Sequence, residues 1–314
     1  MPRERIAGPR TVRGAVRWAQ RALAAAGVYC GHGTDNARDE AAWLVSGALG
    51  IAPHALAACA DRRLEAEARA RLRELVAARI ETRKPTAYLL REAWFAGLPF
   101  YVDERVIVPR SLTAEVVAEG FAPWIDPGRV QRILDLCTGS GCIAIAAAIA
   151  LPHALVDGAD VSADALAVAR INVERHGVGA RVRLAQSDLF ETLAGLRYDV
   201  IVSNPPYVAH HELETLPAEY RHEPRLALAA GDDGLDVVLR ILRDAPDHLT
   251  AGGILIVEVG NSRETLERAL PRVPFVWLAT TSGDECVFLL TAAELERCRS
   301  SVAEVLAQRA VQRT

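Results

Sequence analysis

At 314 residues, with 51% apolar side chains and a net charge of −4, the chain has material for one large or two ordinary domains and a sizeable core, and the charge argues against a dedicated nucleic-acid coat. The charge is uneven: residues 1–110 carry 18 Arg/Lys against 12 Asp/Glu, leaving the remainder at −10, which suggests a basic module followed by an acidic one. The six cysteines include no C-x-x-C pair and no zinc-spaced cluster, no signal-peptide core follows the four arginines of residues 1–13, and no apolar run could span a bilayer, so the expectation is a cytoplasmic protein with neither metal nor membrane.

In chain order, Val12, Ala15, Val16, Ala19, Ala22 and Leu23 recur at helical spacing. The turn at 31–36 offers Thr34, Asp35 or Asn36 as cap for a second helix over about 38–49, which buries Ala41, Leu44, Val45 and Ala48. Residues 64–80 predict a third helix laced with Arg and Glu, giving a small bundle over 1–86 with an arginine-rich outer surface. Residues 87–110 predict a β-hairpin connector, with short strands at Tyr88-Leu89-Leu90, Ala93-Trp94-Phe95, 99–102 and Val106-Ile107-Val108, and turns at 97–99 and 103–104. Ser111 opens a short helix reaching about Glu119.

From Arg132 onward strands alternate with helices. Strands are predicted over 132–136, 154–159, 181–186, 199–203, 253–259, 275–280 and 285–291, and helices over about 141–150, 163–176, 234–249 and 262–270. This alternation predicts an α/β fold over 111–314, with a parallel sheet covered by helices on both faces. The last two strands are joined only by Thr281-Ser282-Gly283-Asp284, which forces them antiparallel.

The chemistry concentrates at the strand ends. The turn Cys137-Thr138-Gly139-Ser140-Gly141 follows Asp135 and opens a helix whose N-terminal amides are free, and its glycines let a ligand approach the backbone. Asp160 ends the second strand 19 residues after Gly141, where an acid takes ribose hydroxyls in nucleotide-binding α/β folds, and Asp188 ends the third. A dinucleotide-binding dehydrogenase shares the glycine turn, but Asp135 would repel a pyrophosphate and welcome a cation, and the antiparallel end is foreign to that sheet. Asn204-Pro205-Pro206-Tyr207 ends the fourth strand. Neither proline can extend a ladder, so the Asn204 carboxamide and the Pro205 carbonyl are held at the sheet edge, a pair of acceptors suited to the N–H groups of a planar nitrogen. His210-His211-Glu212 and His222-Glu223 lack the i, i+4 histidine spacing of a zinc helix, so no metal is expected.

Asp135, the Thr138-Gly139-Ser140-Gly141 turn, Asp160, Asp188 and the terminal hairpin together resemble a class I S-adenosylmethionine-dependent methyltransferase, which implies a Rossmann-like seven-stranded sheet with an antiparallel last strand. Asn204-Pro205-Pro206-Tyr207 resembles the motif of methyltransferases acting on planar nitrogen, and the whole chain is similar to the N5-glutamine methyltransferases of proteins. Arg83-Lys84-Pro85-Thr86-Ala87-Tyr88-Leu89, Val106-Ile107-Val108-Pro109-Arg110 and Glu219-Tyr220-Arg221-His222-Glu223-Pro224 carry that likeness. The chain departs from the release-factor branch at Ser111-Leu112-Thr113 after Pro109-Arg110, while Tyr29-Cys30-Gly31-His32 and Glu92-Ala93-Trp94-Phe95 are similar to the branch acting on the third protein of the large ribosomal subunit.

The resemblance implies S-adenosylmethionine as methyl donor, held by Asp135, the glycine turn, Asp160, Asp188 and Asn204, and a glutamine side chain held by Asn204, Pro205 and Tyr207. Pro109, Arg110 and His222 are expected to line the substrate cleft, and the N-terminal bundle to recognise the ribosomal protein, free or in a pre-ribosomal particle. Three other readings stay open: a release-factor glutamine methyltransferase, a nucleic-acid amino-methyltransferase using the same Asn-Pro-Pro-Tyr chemistry, and a non-catalytic ribosome-assembly factor that keeps the fold.

Overall fold

The computed structural model describes residues 9–280 and 283–312. It divides into two compact units, Met1–Ala93 with Pro217–His222, and Trp94–Leu216 with Glu223–Thr314.

The first unit is helical: α1 Val12–Ala25, α2 Ala37–Leu49, α3 Ala66–Thr82 and α4 Thr86–Leu90. Among the three candidate caps of α2, Asn36 takes the role, its side chain accepting from the amides of Arg38 and Asp39, and Gly50 closes the helix in the left-handed region (φ 65°). Leu23, Leu44, Val45, Leu72 and Val76 form the core, and Ala41, Leu44, Val45 and Ala48 are buried as their spacing predicts. Tyr88-Leu89-Leu90 is helical rather than extended. Pro85 stands at the cap, where its missing N–H is no loss, and Thr86 donates to buried Glu40 at 2.8 Å.

The expected arginine-rich exterior has an exception, because Arg79 is fully buried. Its Nε donates to Glu40 at 2.5 Å, one Nη to Glu219 at 3.3 Å and to the Arg83 carbonyl at 3.2 Å, and the other Nη to the Tyr29 carbonyl at 2.7 Å. Glu219 also accepts from the Tyr29 amide at 3.1 Å. These bonds tie the short segment Pro217–His222 to the helices of its unit.

The second unit begins near the two-stranded sheet β1 Ala93–Phe95 and β2 Leu98–Phe100. The turn lies at Ala96-Gly97, one residue before the expected place, with positive φ at both (48° and 76°) as a tight hairpin requires. Val106-Ile107-Val108 is not a strand: the Val106 amide closes a turn on the Asp103 carbonyl, and the Val108 amide donates to Glu223 at 2.9 Å. A short helix, α5 Ala114–Ala118, follows.

The main sheet contains β3 Arg132–Leu136, β4 Leu155–Asp160, β5 Val182–Gln186, β6 Tyr198–Ser203, β7 Leu249–Glu258, β8 Val276–Leu278 and β9 Val287–Thr291, in the order β5-β4-β3-β6-β7-β9-β8. The first five positions are parallel, and β9 runs antiparallel to both its neighbours, as the short joint demands. Thr281 and Ser282 of that joint lie outside the described residues.

The strands bury both faces. Ile133, Val156, Val200, Val202 and Ile256 pack with α6 Cys142–Ala150, and Leu134, Leu136, Ile201, Leu255 and Val257 pack on the other side with α9 Asp236–His248. α7 Ala163–Arg175, α8 His210–Leu213 and α10 Arg263–Ala269 complete the connections. A 21-residue helix absent from the sequence expectation, α11 Ala292–Gln312, buries Leu295, Cys298 and Val302 in that second layer, and its Arg309 bonds Asp233 and Asp236.

Candidate active site

The carboxyl ends of β3, β4 and β6 meet at the point where strand order reverses, the place where open α/β sheets receive ligands. A cavity of about 270 Å³ opens there, lined by Gly139, Asp160, Ser187, Asp188, Asn204 and Pro206 among others. A second, narrow pocket beside it is lined by Ile107, Arg110, Asn204, Pro205, Tyr207 and Val208. Asn204 lines both.

The β3 turn is built from within. Asp135 is wholly buried, and one carboxylate oxygen accepts from the Thr138 hydroxyl at 2.5 Å and from the Ala144 amide at 3.0 Å. Burial pushes its pKa up to about 7, against the lowering effect of those two bonds. Thr138, Ser140 and Gly141 do not line the cavity. They shape it: Asn172 of α7 binds the Ser140 carbonyl at 2.9 Å, and Gly141, in the left-handed region, lets α6 approach Ala169 of α7. Gly139 does face the cavity, and its amide donates to Asp160 at 2.9 Å. The other Asp160 oxygen accepts from the Ser162 amide at 2.9 Å, and burial raises the pKa of this carboxyl. Asp188 is ion-paired to Arg240 at 2.9 Å, and both line the cavity. Cys137 lines it too, and burial keeps its thiol protonated.

The loop after β6 is gripped from behind, mostly by residues that the sequence does not mark. The Tyr207 carbonyl accepts from the Ser262 hydroxyl at 2.8 Å, and the Tyr207 hydroxyl donates to Glu258 at 3.4 Å. A Cβ at Gly260 would overlap the Tyr207 ring, and one at Gly234 would overlap its carbonyl, so both positions need glycine for this approach. Fifty or so residues separate Glu258, Gly260 and Ser262 from Tyr207, and the β6–β7 pairing brings them together. Of the other expected substrate residues, Arg110 lines the narrow pocket in a bidentate pair with buried Glu223 (2.5 and 2.8 Å). Pro109 is buried and lines neither pocket. His222 also lines neither; it belongs to the helical unit, where its ring bonds the Thr82 carbonyl at 2.8 Å.

Among the described residues, only two buried side-chain oxygens lack a hydrogen-bond partner, Asp135 Oδ1 and Asn204 Oδ1. They belong to the ends of the adjacent strands β3 and β6. Buried acceptors are normally satisfied, so the pair left open at one sheet edge stands out; Asn204 lines both pockets, whereas Asp135 lines neither. Among the described residues, no group of three or more His, Cys, Asp or Glu could hold a metal ion.

Residues 118–219 match the Methyltransferase small domain family, and residues 14–90 match the PrmC N-terminal domain family. A ribosomal protein uL3 glutamine methyltransferase of Bordetella pertussis is 50% identical over 91% of this chain and 96% of its own. Its namesakes from Francisella tularensis (46% identical, covering 93% of each chain) and Neisseria meningitidis serogroup B (50% identical, covering 91% of this chain and 94% of the other) are similarly alike. Among solved structures, a methyltransferase from Pyrococcus furiosus aligns with a TM-score of 0.46 and 19% identity, over 62% of this chain and 89% of that one.

Proposed function

The chain belongs to the ribosomal protein uL3 glutamine methyltransferase family, and on that premise we propose that it moves a methyl group from S-adenosylmethionine to the side-chain amide nitrogen of a glutamine in the large-subunit protein uL3. The observation that carries this reading is Asn204, whose open acceptor oxygen belongs to a side chain lining both the large cavity and the narrow pocket beside it.

The cavity fits the donor. Asp160 and Asp188 offer acceptors for hydroxyl and amino groups of a nucleoside, and the unpartnered Asp135 oxygen lies behind the glycine turn, where a nearby positive charge would favour the ionised carboxylate. When bound, S-adenosylmethionine supplies an electrophilic methyl on a cationic sulfur. The remaining work falls to the protein. A glutamine nitrogen is a weak nucleophile, because its lone pair is delocalised into the carbonyl. Asn204 Oδ1 and the Pro205 carbonyl each accept one amide N–H, fixing the plane of the amide and turning the face of its nitrogen toward the cavity. Such orientation supplies on the order of 7–11 kcal/mol. The same acceptors stabilise the positive charge that develops on nitrogen. Tyr207 forms a wall against the amide plane. No strong base is required, since a methylated, cationic amide sheds its proton readily to water.

In this reading the helical unit recognises uL3, free or within a pre-ribosomal particle, and the reaction takes place in the cytoplasm. The test is transfer of labelled methyl to purified uL3, a class I release factor and ribosomal RNA. Label on a uL3 glutamine, located by mass spectrometry, is expected. Label on the release factor would keep the chemistry and change the substrate, and label on RNA alone would overturn the protein reading.

A further inference from the structure

Glu258 ends β7 and is buried, yet it is not part of either pocket lining. One of its oxygens accepts from the Ser111 hydroxyl at 2.6 Å and from the Leu112 amide at 2.9 Å, and the other accepts from the Tyr207 hydroxyl at 3.4 Å. The Ser111 hydroxyl has a single proton, so with Glu258 taking it the contact to Thr113 (2.7 Å) must run from the Thr113 hydroxyl to Ser111 Oγ. The carboxylate therefore gathers three donors and orients a short chain of hydroxyls.

These donors come from two segments that meet the narrow pocket. Ser111 and Leu112 follow Arg110, which lines that pocket and is clamped by Glu223, and Tyr207, just after β6, lines it too. A buried carboxylate is costly unless its oxygens are well paired, and burial indeed raises the pKa of Glu258. A role in packing alone would be filled more cheaply by an apolar residue.

We infer that Glu258 is a positioning residue for methyl transfer: it holds the Tyr207 ring and the Arg110–Thr113 segment in fixed relation, so that the walls of the amide pocket are set before the glutamine enters. Neither the family match nor the motif assigns this role. It rests on the reading of Tyr207 as a wall of the amide pocket, and the experiment separates the two.

Tyr207→Ala, Tyr207→Phe, Glu258→Gln and the Tyr207→Phe/Glu258→Gln pair are assayed for kcat, for KM toward uL3 and for S-adenosylmethionine affinity by calorimetry. Glu258→Gln keeps the shape and one acceptor, so folding is preserved, which thermal unfolding checks. The expected result is a fall in kcat of about tenfold in Glu258→Gln, with donor affinity changed less than about twofold, and a double variant no slower than the worse single one. If Tyr207→Ala slows turnover but Glu258→Gln does not, or if the two effects simply multiply in the pair, the positioning role is wrong and the wall stands. If Tyr207→Ala itself turns over normally, the reading of the wall falls first and this inference falls with it.

Discussion

Two buried polar constellations in this molecule have opposite characters. In the helical unit, Arg79 has no exposure, and each of its guanidinium nitrogens has a partner among Glu40, Glu219 and the carbonyls of Tyr29 and Arg83. At the sheet edge, Asp135 and Asn204 each keep one buried oxygen open. A closed network spends its bonding capacity on fixing the chain. An open one, held in place by its neighbours, carries capacity reserved for something else. The lesson is that burial of a polar residue does not by itself distinguish structure from function; the count of unfilled acceptors does.

The strongest way to break the contrast is at its closed end. Arg79→Ala would leave Glu40 buried without its cation and Glu219 with only the more distant Arg83 (3.8 Å), and should cost about 3–5 kcal/mol, read as a lowered denaturant midpoint. A variant that unfolds like the parent would show the network to be dispensable. The next effect comes from the open end. Asp135 has a folded pKa of about 7 against an ordinary 3.8, so its contribution to stability is full below about pH 4 and is lost as pH rises through 7. Relative to Asp135→Asn, the parent should lose about 2–3 kcal/mol of unfolding free energy between pH 5 and 8. Urea titrations of both proteins across that range would show parallel curves if Asp135 were in truth unperturbed. Smaller still, Asp160→Ala should weaken binding of S-adenosylmethionine about tenfold, or about 1.4 kcal/mol, and unchanged affinity by calorimetry would remove Asp160 from the nucleoside site.

The second unit was largely legible in the sequence because a parallel sheet buries both faces of its strands, so β3, β4, β6 and β7 read as apolar runs whose ends are sharp to within a few residues. Short apolar runs were less decisive. Tyr88-Leu89-Leu90 fits a strand or a helical turn equally well by composition, and Pro85 together with the Thr86–Glu40 bond decides for the helix. Val106-Ile107-Val108 has strand composition, but one of its amides is taken by a glutamate 115 residues away. The long helix α11 went unpredicted although its buried Leu295, Cys298 and Val302 are spaced for one face.

The candidate site divides in the same way. Asn204 and Pro205 stand out because two prolines after a strand are conspicuous, and the glycine turn because it follows an acid. Glu258, Gly260 and Ser262 carry no local mark; they matter only because β7 lies beside β6. His222, expected at the substrate cleft, lines neither pocket, and its ring bonds the Thr82 carbonyl.

The most direct test of the open acceptors is single-turnover methyl transfer to uL3 by the parent and by Asn204→Ala, with S-adenosylmethionine affinity measured on the same samples. Removing one preorganised acceptor should slow transfer by about 10²–10³-fold while donor affinity and thermal stability stay near those of the parent. Transfer at close to the parental rate would contradict the claim that the unfilled Asn204 oxygen is held for the substrate amide.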